Sequence, residues 1–205
     1  MYKIRVELEG LAPFLYNRMG EAERELLDSG KTGIKRTVEQ RTEEAHGKVH
    51  RAADGSLSVP GENIEKCLEQ AASQTRMKDA KVSMSSLLKA TVFVDGHGTF
   101  RTQDYTIFPI MGRIPPGPRG KAAIIRRPRI ETGWRLHFTL NVVDDARQPE
   151  MLREIIEHAG LYIGLGSWRP RYGRFIIIGW EVVGRKDMDV PRTPPQGGGK
   201  KTKRQ

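Results

Sequence analysis

Cysteine is almost absent from this chain. Cys67 stands alone, which excludes a disulfide framework within the chain and any zinc cluster built on cysteines. Long apolar runs are absent too: none approaches the roughly 18 residues that a membrane span needs. The opening segment, MYKIRVELEG, alternates charged and apolar residues where a signal peptide would carry a hydrophobic stretch. The chain is therefore expected to be soluble and cytoplasmic. It has no Gly-x-Ser-x-Gly elbow, no phosphate-loop lysine and no Rossmann glycine fingerprint.

The most informative absence is acid. Residues 105–130 contain no Asp or Glu but hold Arg113, Arg119, Lys121, Arg126, Arg127 and Arg129. Residues 158–180 contain none either and hold Arg169, Arg171 and Arg174. A solvated face normally mixes signs to limit self-repulsion, so these cations are expected to lie against something negative. The whole chain of 205 residues has 35 Lys and Arg against 25 Asp and Glu, a net charge of +10. That makes a polyanion the leading partner. Residues 184–205 carry seven of the cations and two acids among prolines and a Gly197-Gly198-Gly199 run. Such a segment has almost nothing to bury and is expected to be a disordered basic tail.

What is present reads as one domain over residues 1–183. Residues 2–9 place Ile4, Val6 and Leu8 on one face and Lys3, Arg5, Glu7 and Glu9 on the other, the pattern of a half-buried strand. Gly10-Leu11-Ala12-Pro13 ends it. Residues 14–36 show no sustained period beyond a short helical pattern at 21–27, and predict a mobile insertion. With the polar, helix-compatible segment 37–51, the insertion extends over about 14–55. A short strand follows at 56–59. Residues 63–72 read as a helix with Ile64, Cys67, Leu68, Ala71 and Ala72 on its apolar stripe, so Cys67 is expected to be a buried structural thiol. Residues 84–88 are irregular or helical, and 89–94 and 105–111 are strand-like. Residues 122–130 and 134–143 are clearer strands, the second with Trp134, Leu136, Phe138, Leu140 and Val142 inward. Glu131-Thr132-Gly133 between them fits a tight hairpin connection. Residues 149–159 read as a helix and 174–183 as a last strand, whose apolar run 175–178 suggests a central position. The order predicts an α+β fold with helices on one face of an antiparallel sheet, most simply the RRM/ferredoxin-like βαββαβ arrangement.

Two segments carry chemistry. Residues 160–175, GLYIGLGSWRPRYGRF, interleave Trp168 and Tyr172 with Arg169, Arg171 and Arg174 among glycines. Bases stack on aromatics and phosphates pair with guanidinium, so this is the composition of a single-strand-binding surface. Trp168 could equally plug the core. Residues 112–129 place Pro115-Pro116-Gly117-Pro118 between flanking cations, as in a stiff basic arm or a plain hairpin loop. Lys35, Arg36, Arg41 and His46 join the candidate nucleic-acid contacts. His46 and His50 have the i, i+4 spacing of two ligands on one helix face, but Gly47 stands where the zinc-protease pattern has Glu. Asp144-Asp145 could hold a metal or simply end a strand.

Ser58-Val59-Pro60-Gly61-Glu62-Asn63-Ile64-Glu65 before a helix resembles the strand, Pro-Gly, helix segment of the RAMP superfamily of CRISPR effector proteins. Gly10-Leu11-Ala12-Pro13-Phe14-Leu15 is similar to the first strand and loop of that group, and residues 164–173 occupy the place of its C-terminal glycine-rich loop. The Gly-x-Gly-x-Trp-Arg-Pro-x-Tyr-Gly-Arg-Phe ending also resembles small phage and mobile-element proteins. The resemblance implies an RRM-like core with an inserted thumb, polymerising along a guide RNA as a backbone subunit beside other effector subunits. Glu62, Glu65 and Glu69 stand where such proteins often have Ser and basic residues, which counts against RNA contact by that helix. The expected function is non-catalytic binding of single-stranded RNA or DNA by head-to-tail copies, without cofactor, metal or membrane. The alternatives are a phage-type single-stranded DNA-binding or annealing protein, a metal-dependent RNA-processing nuclease using Asp144, Asp145, His46 or His50, and a scaffold whose arm binds an acidic protein.

Overall fold

A computed structural model of the chain describes residues 1–19, 28, 37–75, 83–114, 121–143 and 149–184. The alternation of the first strand, β1 (Tyr2–Gly10), places Tyr2, Ile4, Val6 and Leu8 in the core. It lies between two antiparallel neighbours, β9 (Arg135–Val142) and β10 (Phe175–Val183). Beyond β9 come β5 (Val92–Val94) and β6 (His97–Phe100), then β4 (Leu57–Pro60) and β3 (His50–Arg51). Helix α2 (Gly61–Gln74) links β4 to the segment before β5, and α4 (Pro149–His158) precedes β10. Taken as β1-α2-β5-β9-α4-β10, the strands stand in the order β10-β1-β9-β5, all antiparallel. This is the predicted α+β, RRM-like arrangement. α2 and α4 touch each other over the inner face of the sheet, and their apolar stripes join the inward row of β1 and β9 in one core. No helix among the described residues is long and apolar enough to cross a membrane.

A second sheet is built from β2 (Phe14–Leu15), β7 (Thr106–Ile114) and β8 (Lys121–Ile130), in the order β2-β8-β7. β7 and β8 pair in a long antiparallel arm that carries the described part of the basic 112–129 segment, and α1 (Val38–His46) packs against it. Thr37 starts α1 with a capping box shared with Gln40.

Four expectations are corrected. Residues 14–19 do not begin a mobile insertion: Phe14, Leu15 and Tyr16 are buried, and Tyr16 donates its hydroxyl to the Ser58 carbonyl at 3.1 Å. A two-residue strand carries no period, so composition could not show it. Residues 89–91 belong to a helix, α3 (Met84–Thr91), which leaves only Val92–Val94 as strand. The Glu131-Thr132-Gly133 turn makes no hairpin, because β8 and β9 belong to different sheets. It hands the chain from one sheet to the other, and Gly133 N–H is tied to the Gly10 carbonyl at 2.9 Å. Finally, β10 is not central. Among the described residues it pairs with β1 alone, at the edge, and Ile176, Ile178 and Val182 are exposed. The helical pattern at 21–27, the prolines at 115–118, Asp144, Asp145 and the tail beyond Gly184 lie outside the described residues.

Trp134 sits where the two sheets meet. Its ring lies edge-on to Phe14 and Phe100, and its Nε1–H donates to the buried Ala12 carbonyl at 2.8 Å. A Cβ on Gly10 would stand 2.1 Å from that Nε1, so the strand can cross the indole only as glycine. Gly10→Ala is expected to displace the indole and cost about 1–3 kcal/mol, the range for overpacked cores. Urea unfolding checks this, read as a lowered midpoint at an unchanged slope.

Candidate nucleic-acid interface

The glycine-rich loop, residues 164–174, follows a π-helical turn, Ala159–Ile163, that extends α4. The loop is sewn to the segment after β1 by backbone hydrogen bonds. Leu11 N–H donates to Arg174 O at 2.8 Å, Gly173 N–H to Pro13 O at 2.9 Å, and Ser167 N–H to Leu15 O at 2.9 Å. Across its own neck, Leu165 N–H donates to Gly173 O at 2.8 Å. That closeness dictates glycine: Gly173 has φ +75°, and a Cβ there would stand 1.7 Å from the Leu165 carbonyl oxygen. Below the loop, Cys67 is buried and its Sγ–H donates to the Gly164 carbonyl at 3.2 Å. Burial pushes this thiol up to about 12, against a smaller opposing pull from Arg169, so it is the structural thiol expected.

The loop, the β2 segment and the start of α2 enclose a cleft of about 230 Å³. Phe14, Leu15, Val59 and Gly166 supply its apolar walls, and Asn17, His50, Asn63, Lys66, Ser167 and Arg169 its polar ones. The three sequence segments that carried the family resemblance therefore converge on one cavity. The acids of α2 do not line it. Glu65 accepts from Val94 N–H at 2.7 Å, and Glu69 pairs with Lys89 at 3.2 Å. Asn63 and Lys66, three apart, line the cleft, while Glu62 stays exposed on the same helix. Burial holds the His50 imidazole below its ordinary range, and Arg18 and His97 add to this. Burial likewise pushes the Tyr16 hydroxyl far above the ordinary phenol range, so it remains a donor.

The two acid-free stretches meet in space. Arg127 of β8 donates to Ser167 Oγ at 3.1 Å. Trp168, with φ +58°, does not plug the core; it is exposed and lies over Gly112 of β7. Arg129 covers the Phe108 ring at 3.9 Å and pairs with Glu131, so part of its charge is spent locally. Arg171 and Arg174 are exposed beside the loop, and Lys121 and Arg126 lie along the arm. Arg113 is also on the arm, and Arg41 is exposed on α1. Tyr172 is half-buried. Lys35, Arg36 and Arg119 lie outside the described residues. The His46–His50 ligand pair is not formed on one helix face, because α1 ends at His46, whose Nδ1 lies 3.0 Å from the Tyr105 hydroxyl, while His50 belongs to β3. Among the described residues no three His, Cys, Asp or Glu side chains group as a metal set would.

The outer face of the large sheet is different. Lys3–Asp95, Arg5–Glu181, Arg101–Glu7 and Arg135–Glu9 pair at 3.0, 3.1, 2.7 and 3.5 Å. Its charges are balanced, whereas the cleft and arm are cationic. Asn17, Asn63 and Lys66 were missed by sequence reasoning. The spacing of α2 did not mark them, since Lys66 stands four residues after Glu62 and three before Glu69.

No family model matches the chain, and no curated protein sequence matches it. Among solved structures, the fold is similar to a chain in the cryo-electron-microscopy structure of a type III-B Cmr-β complex bound to cognate target RNA. The TM-score is 0.57 at 11% identity, and the match covers 90% of this chain and 61% of that one. This chain therefore matches about three-fifths of the length of its neighbour.

Two measurements test the loop. Gly173→Ala adds left-handed strain of about 1–2 kcal/mol to the clash with Leu165, whereas Gly133→Ala, at φ +86° with nothing within 4 Å of its Cβ, adds strain alone. Thermal melts should place Gly173→Ala clearly below Gly133→Ala; equal losses would show that the loop neck yields. The lowered His50 value means that the unfolded chain holds more protons there than the folded one. Stability should therefore rise with pH from that lowered value to the ordinary 6.5, a gain absent from His50→Gln.

Proposed function

We propose that this protein is a non-catalytic, single-stranded nucleic-acid-binding subunit of the CRISPR effector type, laid along a guide RNA in head-to-tail copies. The observation that carries this reading is the convergence of residues 10–15, 58–66 and 164–174 on one cationic cleft. The arm hairpin is docked beside it through Arg127–Ser167 and Trp168. The similarity of fold to a chain of an RNA-bound Cmr complex supports the same reading.

In this account, Lys66, Arg169, Arg171 and Arg174 take phosphates, with Arg126 and Lys121 continuing the track along the arm. Trp168 offers a face for stacking. Phosphate recognition of this kind is insensitive to sequence and weakens steeply with salt, because each neutralised phosphate releases counterions. Affinity from one such domain is limited, since it covers only a few nucleotides. Copies in a row, each arm reaching the strand held by its neighbour, overcome that limit.

Binding of a labelled single strand should fall with salt along a log–log slope of about −3 or steeper, at roughly −0.7 per contacted phosphate. Lys66→Ala and Arg169→Ala should each flatten the slope by about 0.7. A salt-independent interaction, or none with any oligonucleotide, would refute the reading. Sequencing the nucleic acid that co-purifies should return RNA of fixed length with a constant end. Heterogeneous DNA would instead indicate a phage-type strand-binding protein.

The absence of catalysis is tested separately. Oligonucleotide incubated with the protein and Mg²⁺ or Mn²⁺ should stay intact. Cleavage that disappears in His46→Ala or Asp144→Ala would replace the binding reading with a nuclease.

A further inference from the structure

The cleft beside the glycine-rich loop is poorly shaped for a phosphate alone. Phe14, Leu15 and Val59 close its back but expose almost no surface, so a ligand would meet mainly the side chains of the rim. The cations, Lys66 and Arg169, come from two different elements, α2 and the loop. Three further wall groups are neutral: the amides of Asn17 and Asn63 and the imidazole of His50, which burial keeps from charging. An amide presents a donor and an acceptor together, and so does a neutral imidazole. A phosphate only accepts. The edge of a nucleobase both donates and accepts, as these groups do.

Size points the same way. At about 230 Å³ the cleft falls below the roughly 300–1,000 Å³ of sites that enclose drug-sized ligands. It takes one ring system rather than a whole nucleotide. Gly166 keeps it close-set: a Cβ there would stand 2.6 Å from the Leu15 carbonyl oxygen and 2.9 Å from the Phe14 ring.

We infer that this cleft receives one unpaired nucleobase, turned out of the strand and read on its edge by Asn17, Asn63 and His50, while Lys66 and Arg169 hold the phosphates on either side. The inference rests on the proposed strand-binding function, and it adds base preference to a surface otherwise blind to sequence. Asn17 and Asn63 are specificity-determining, whereas the flanking cations supply affinity.

The experiment measures binding of the full chain to 5′-labelled homopolymeric A, C and U strands of one length, at two salt concentrations, for the wild type, Asn17→Ala and Asn63→Ala. Both asparagines are exposed at the rim, so neither substitution opens the core. Wild-type affinities should span threefold or more between the best and worst base. Either variant should compress that span to below threefold while keeping the salt slope. A span below threefold in the wild type, or one that survives in both variants, overturns the base pocket and leaves phosphate-driven binding standing. Failure of every strand to bind overturns the function itself, and the pocket with it.

Discussion

The backbone stitching of the glycine-rich loop to the end of β1 is the constraint on which the rest depends. The bonds from Leu11, Gly173 and Ser167 join segments more than 150 residues apart in sequence. Without them the loop would be a free excursion between α4 and β10. With them it becomes a wall of the cleft, held from below by Cys67 and from the side by Arg127. The same stitching fixes where the arm stands, because Trp168 and Ser167 meet β7 and β8 only when the neck is closed. Gly173 thus shapes the cleft wall by having no side chain: a Cβ there would force the Leu165 carbonyl aside.

Electrostatics divides the molecule into two regions. On the outer sheet face each cation named above has an acid opposite it. Exposed pairs of this sort contribute about 0–1 kcal/mol each to stability, but they remove the attraction that a polyanion would need. The loop itself holds no acid, whereas along the arm Glu131 pairs with Arg129 and Glu39 of α1 lies within reach of the Arg126 charge. An RRM-like sheet would ordinarily invite a reading in which the strand lies across the open face. The charge distribution argues for the cleft and the arm instead.

Much of the fold was legible because it is periodic. Ile4, Val6 and Leu8, the α2 stripe through Ile64, Cys67 and Ala71, and the inward row from Trp134 to Val142 all landed where their spacing placed them. What failed was what spacing does not encode. The run 175–178 is apolar whichever place β10 takes in the sheet, and pairing alone put it at the edge. Phe14 to Tyr16 are buried through contacts with Phe100, Trp134 and Ser58, all remote in sequence. The cationic loop and arm were legible as composition, since an acid-free stretch is visible in one dimension. Their meeting through Arg127 and Trp168 was not, and neither was the cleft, whose walls come from three separated segments. Two of the acids of α2, Glu65 and Glu69, are taken up by Val94 N–H and Lys89, contacts that a one-dimensional count does not record.

The central claim is where the strand lies. Ultraviolet cross-linking of the protein to a 4-thiouridine-substituted single strand, followed by peptide mapping, tests it directly. The account predicts cross-links in residues 57–66 and 164–174 and along the 106–130 arm. Cross-links confined to β1, β9 and β10, on the charge-balanced outer face of the sheet, would contradict it.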